Sequence, residues 1–207
     1  DREHRLMSML LSTVAGSGSS FTAITASGGN STPAYAGYKS HVFTSSGTFT
    51  VSDAGSEGLV EFIVVASGGG GTATAGAGGA GGARVMTAQT VTATGYAIVI
   101  GAGGGGEADG NTSSCAINSI ACTGGGRGGS VGADAVSGGC GGGGARWNNS
   151  GTPPYANRIY GAAGNAGGYS PVEGYGGGDG LQSASCGGGG GGTAEAGTDA
   201  GPSSTGV

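Results

Sequence analysis

Two glycine-rich stretches spell enzyme signatures. Gly101-Ala102-Gly103-Gly104-Gly105-Gly106 follows an apolar segment and satisfies G-x-G-x-x-G, the turn that brings backbone N–H groups and a helix N-terminus to a pyrophosphate. The residues that follow, Glu107, Ala108, Asp109, Gly110 and Asn111, supply no amphipathic helix, so a dinucleotide site is not expected. Gly128-Gly129-Ser130-Val131-Gly132 matches the nucleophile elbow G-x-S-x-G, whose serine needs a histidine later in the chain. Both histidines, His4 and His41, come before it. In a chain this rich in glycine such matches are chance. No base, nucleophile and orienting group can be assembled, and the chain reads as non-enzymatic, without a cofactor.

Metal chemistry has little to stand on. His41 alternates with Phe43 and reads as a packed or surface side chain, and His4 sits among charges near the N-terminus. The carboxylates Glu107, Asp109, Asp134, Glu173, Asp179, Glu195 and Asp199 are scattered among loops without the D-x-D-x-D-G spacing of a calcium loop, and no metal is expected. Cys115, Cys122, Cys140 and Cys186 are even in number and not spaced C-x-x-C. Cross-links would restrict the unfolded form of a chain with little apolar core, so disulfides are expected, Cys115 with Cys122 and Cys140 with Cys186. Four buried thiols in a protein assembled in a reducing compartment are the other reading.

Recognition chemistry is more concentrated. Residues 146–175 hold the single Trp, Trp147, with Tyr155, Tyr160, Tyr169 and Tyr175, interleaved with Asn148, Asn149, Ser150, Asn157 and Asn165. Rigid amphipathic rings beside adaptable amides are the composition of binding loops. The same rings would also plug the edges of a domain short of apolar side chains.

These residues need a frame, and the composition restricts what it is made of. Of 207 residues 55 are Gly, while Val, Ile, Leu and Phe together make up about 14% of the chain, too few for a large core. Only 9% of the residues are charged, unlike a disordered tail, and the glycines come in blocks rather than at every third position as in collagen. No apolar stretch is long enough to span a bilayer as a helix. A pI of about 4.7 with seven Lys and Arg argues against nucleic acid. The chain begins at Asp1, as a processed product or a piece of a longer polypeptide would.

Three zones follow. In residues 1–36, Leu6, Met7, Leu10, Leu11 and Val14 make the stripe of a short attachment helix suited to docking on the rest of this fold or on another subunit, and 15–37 reads as linker. Residues 37–100 should form the β core: a hairpin of 39–43 and 48–51, a buried strand at 59–65, and companions at 84–91 and 96–100, interrupted by a Gly-rich loop at 68–83. Residues 101–207 alternate Gly blocks with short inserts. Glycine blocks have no side chains to bury, but extended polyproline II helices without Cβ atoms can lie side by side and satisfy one another's N–H and C=O groups. The expected class is all-β, a small antiparallel β-sandwich carrying a slab of polyglycine helices.

The stretch 37–51 (Gly-Tyr-Lys-Ser-His-Val-Phe-Thr-Ser-Ser-Gly-Thr-Phe-Thr-Val), then Val60-Glu61-Phe62-Ile63-Val64-Val65 running into Gly68, then Thr90-Val91 and Tyr96-Ala97-Ile98-Val99-Ile100-Gly101, resembles the glycine-rich domain of bacteriophage tail-fibre and other virion appendage proteins. A related pattern occurs in the ectodomain of a small receptor tyrosine kinase family. The resemblance covers roughly residues 37–193 and implies a polyglycine-helix sandwich on the virion surface whose variable distal loops bind the host. It makes the candidate receptor-binding set Trp147, Asn148, Asn149, Tyr155, Tyr160, Tyr169 and Tyr175. The implied partners are a host surface protein or glycan and, through the N-terminal stripe, other virion proteins, with trimeric assembly a further expectation. A structural decoration or cement protein of the virion is the alternative.

Overall fold

The computed structural model describes residues 20–35, 37–73, 76–130, 133–146, 158–181 and 186–201. The N-terminal stripe and the insert with Trp147, Asn148, Asn149 and Tyr155 lie outside the described residues.

The core is all-β and antiparallel. Strand β1 (Thr25–Ser27), β4 (Gly47–Asp53), β7 (Gly95–Val99), β8 (Ser113–Cys115) and β9 (Ile120–Cys122) form one sheet in the order β1-β4-β7-β8-β9. Across its inner face lies the hairpin of β5 (Leu59–Val65) and β6 (Ala83–Thr90). Alternation sets the faces: Phe49 and Val51 of β4, Tyr96 and Ile98 of β7, Cys115, Ile120 and Cys122 turn inward against Phe62, Val64 and Met86. Thr48, Thr50 and Ser52 turn to solvent. Val91, Ile117, Ile24 and Ala26 complete the cluster.

The strands expected at 59–65, 84–91 and 96–100 form as Leu59–Val65, Ala83–Thr90 and Gly95–Val99, but the first is buried on one face only, since Leu59, Ile63 and Val65 are exposed. Other expectations are corrected. Residues 39–43 do not pair with 48–51: the short β3 (Tyr38–Lys39) pairs with β2 (Ala34–Tyr35), and Val42 bridges back to Ser31. This path bends at Gly28, whose φ of +109° only glycine takes readily and whose missing Cβ leaves room for the Thr48 carbonyl. Strand β4 is thus free to pair with β1 and β7. Residues 20–35 are not linker, because Ile24 and Ala26 pack against the core. Strands β6 and β7, adjacent in sequence, belong to different sheets. The core also extends past residue 100, because β8, β9 and the 3-10 turn Ile117–Ser119 between them present Cys115, Ile117, Ile120 and Cys122 on one face.

Glycine-rich runs leave and re-enter this core. The chain goes out from β5 along 66–72 and back along 76–82 into β6, out from β7 along 101–105 and back along 108–112 into β8, then out from β9 along 123–130. The supposed loop at 68–83 is therefore two antiparallel runs, joined by Gly69 N–H to Gly79 O and Thr72 N–H to Gly76 O, both 2.9 Å. Later runs at 133–137, 138–145, 160–164, 174–179, 187–192 and 195–200 stack beside them.

The 138–145 run sits at the centre and is buried throughout. Its backbone bonds to 76–82, 123–130, 133–137, 160–164, 174–179 and 187–192, six neighbours in all. Partners recur every third residue. Cys140 and Gly143 donate to Ala80 and Ala77, Gly141 and Gly144 donate to Tyr175 and Gly178, and the carbonyls of Cys140 and Gly143 accept from Gly126 and Gly129. A strand has a period of two and pairs in one plane; this arrangement bonds all round. It requires glycine because a Cβ on Gly126 would run into the Val136 carbonyl, one on Gly142 into the Arg127 carbonyl and one on Gly143 into the Gly188 carbonyl.

Candidate functional site

The directions of the runs give the slab two ends. Runs 123–130 and 174–179 lie parallel to 138–145, and runs 76–82, 160–164 and 187–192 lie antiparallel, as the order of their bonds shows. The β core joins the runs at Ala66, Gly82, Gly101, Thr112 and Thr123, so all these junctions are at one end. At the opposite, distal end, the chain turns between 72 and 76, at 105–107, between 130 and 133, between Arg146 and Arg158, and between Leu181 and Cys186.

Described residues at the distal end are held by backbone. Ser130 and Ala133 exchange N–H···O bonds of 2.9 and 3.0 Å. The short β10 (Arg158–Ile159) pairs with β11 (Gly180–Leu181), and Leu181 bridges to Cys186. Arg146 is exposed, and Tyr160 is 59% exposed. The flanks of the insert bearing Trp147, Asn148, Asn149 and Tyr155 are thus fixed here, next to Tyr160.

The remaining candidates lie elsewhere. Tyr175 is level with Gly141, part-way along the slab, and its ring is exposed. Tyr169 lies at the core end, half-buried under the Arg84 guanidinium, 3.9 Å from the ring centroid. Arg84 also donates to the Ala121 carbonyl at 3.0 Å. Tyr169 is a packing residue held by a cation–π contact, and it does not share a surface with Tyr160.

Sequence reasoning missed the most buried charged side chain, Glu173, which is 0% exposed. Thr123 N–H donates to its Oε2 at 2.8 Å and Gly167 N–H to its Oε1 at 3.2 Å. Its backbone carbonyl accepts from Ala83 N–H, and Asn165 Oδ1 accepts from Glu173 N–H and Tyr169 N–H. Glu173 therefore ties the start of β6, the start of the 123–130 run and the 165–173 loop together. Other acids end runs the same way: Asp109 accepts from Arg127 N–H, Asp179 from Gly161 N–H and Asp199 from Asp179 N–H. An available signal was an acid directly before glycine, as in Asp109-Gly110, Glu173-Gly174 and Asp179-Gly180. The Asp109–Arg127 ion pair at 3.1 Å is exposed and adds little beyond this.

The cysteines are not bridged as expected. Cys115, Cys122 and Cys140 are buried thiols, so neither Cys115–Cys122 nor Cys140–Cys186 is a disulfide. The register sets Cys115 opposite Ile120 and Cys122 opposite Ser113, diagonal on one inner face. Cys122 donates its S–H to the Val64 carbonyl at 3.2 Å and Cys140 to that of Gly81 at 3.6 Å. Burial pushes all three thiols up, Cys122 to about 11 with help from the nearby Glu173 charge, so none is a nucleophile at neutral pH.

His41 packs edge-on against Phe49 at 5.1 Å and its Nδ1–H donates to the Gly28 carbonyl at 2.7 Å. No cluster of His, Cys, Asp and Glu suited to a metal occurs among the described residues. A shallow depression of about 280 Å³ is lined by small and apolar residues such as Ala97, Val99 and Ile120, and another of about 340 Å³ by glycines, Thr198 and Glu195. Neither assembles a catalytic set. No family model, curated protein or solved structure matches this chain.

Proposed function

We propose that this is a non-enzymatic receptor-binding module of a bacteriophage virion, a fibre-tip adhesin in which a polyglycine II sandwich is the frame and its distal turns carry the host contacts. The period of three in the backbone bonds and the six neighbours of the central run support the polyglycine reading. The observation that carries the functional reading is that the aromatic insert between Arg146 and Arg158 has both its flanks at the end away from the β core, whereas the 165–173 insert turns at the core end. A backbone-bonded slab keeps its shape whatever the insert sequences are, so those sequences are free to follow a receptor. The insert bearing Trp147, Asn148, Asn149 and Tyr155, whose described flanks are at that end, forms with the exposed Tyr160 the proposed binding set; Tyr169 and Tyr175 drop out of it.

Because Trp147 is the single tryptophan, its emission reports on the insert alone. Titrating host cell-wall or outer-membrane material into the protein is expected to shift that emission, and Trp147→Ala with Tyr155→Ala is expected to abolish host adsorption while leaving the unfolding midpoint unchanged. Normal adsorption of the particle bearing the double variant would contradict the proposal. Loss of adsorption on replacing Tyr169 instead would place binding at the wrong end.

A further inference from the structure

The outer face of the β5–β6 hairpin carries, beside the exposed Glu61 and Thr87, an apolar patch that is uncovered among the described residues. Ile63 is 60% exposed, Val65 53% and Val85 70%, with Ile63 and Val85 directly paired across the strands and Leu59 further along the same face. The inner face of the same strands is in the core, so this hairpin is apolar on both sides. Contiguous β-branched residues in water mark a contact surface.

The chain itself supplies an occupant. Residues 1–19 precede a point where Thr22 is pinned to Ser56 by two bonds, Thr22 N–H to Ser56 Oγ at 2.8 Å and Ser56 N–H to Thr22 O at 2.9 Å. Ser56 is followed at once by Glu57, Gly58 and Leu59, where β5 begins. Phe21, 74% exposed, stands at this same corner. Nineteen residues wound as a helix would reach ~28 Å, and the seven residues of β5 need ~23 Å, so the segment is long enough to span the hairpin. Its stripe of Leu6, Met7, Leu10, Leu11 and Val14 is apolar, matching the exposed Ile63, Val65 and Val85.

We infer that residues 1–19 dock on their own chain, laying that stripe on Ile63, Val65 and Val85 and closing the open side of the β core. The stripe by itself suits either the rest of this fold or another subunit; the position of Thr22 favours the chain's own hairpin.

A photoreactive benzoylphenylalanine placed at position 10 of the full chain tests this. Irradiation is expected to cross-link it to peptides from 59–65 or 83–90 at monomer mass. The cross-link should disappear in Ile63→Asp/Val85→Asp, whose unfolding midpoint and circular dichroism establish that it still folds. Cross-links formed only between chains, cross-links to other surfaces, or a hairpin cross-link that survives the double substitution would each overturn the inference. A loss of adsorption in Trp147→Ala/Tyr155→Ala leaves it untouched, since the two ends are separate.

Discussion

Gly126→Ala and Gly142→Ala are each expected to destabilise the protein by about 3 kcal/mol, while Gly105→Ala changes stability by less than about 0.5 kcal/mol. All three replace one hydrogen by a methyl group in a glycine run, and none of the three glycines has a positive φ. The difference is what surrounds them. A Cβ at 126 would overlap the Val136 carbonyl and one at 142 the Arg127 carbonyl, whereas one at 105 meets nothing within 4 Å. Ordinarily Gly→Ala at a compatible backbone position stabilises by ~0.4–1 kcal/mol, because the unfolded chain loses freedom. Overlap with a backbone atom cannot be relieved by a rotamer change; two runs must separate, and their shared hydrogen bonds stretch. Urea unfolding of the three variants measures the contrast. Equal effects at all three positions would mean that the runs are not packed through their missing side chains.

Glu173→Ala is expected to cost on the order of 3–5 kcal/mol, and Glu173→Gln about 1–3. Truncation leaves the N–H groups of Thr123 and Gly167 without their acceptor and empties the space of a fully buried side chain. The amide of Gln retains one acceptor oxygen and turns an NH₂ group toward the other N–H. Glu195→Ala, at an exposed position, serves as the control and is expected within about 0.5 kcal/mol of the parent. Matching chemical-denaturation curves for Glu173→Ala and Glu195→Ala would show that Glu173 does not tie the slab to the core.

Strand 59–65 is legible in the sequence because Leu59-Val60-Glu61-Phe62-Ile63-Val64-Val65 is a nearly continuous apolar, β-branched run of strand length, with 84–91 as its companion. Strands β8 and β9 are three residues each, and Cys115, Ile117, Ile120 and Cys122 alternate for too short a span to stand out from the glycine around them. The glycine runs could be recognised as building material, but their neighbours could not. A run without side chains has no pattern to set its register, which is fixed at its ends by single polar groups. Ser67 Oγ, donating to Ala102 O and accepting from Asn111 N–H, is one such group. The binding-loop composition of 146–175 merges two environments, because Tyr160 is at the distal end while Tyr169 is held under Arg84 beside the core. No property of a tyrosine in sequence separates those outcomes. The partner does, and Arg84 is far away along the chain.

Glycine in this protein forms the frame, held by bonds between backbones and not by buried side chains. Native-state amide exchange of residues 138–144 tests it most directly, since each of these N–H groups donates to another run. They are expected to exchange only as the whole molecule unfolds, with an opening free energy equal to that from urea unfolding and equal to that of the β4 and β7 amides. Exchange of the 138–144 amides at the rate of unstructured glycine, while β4 and β7 stay protected, would contradict it.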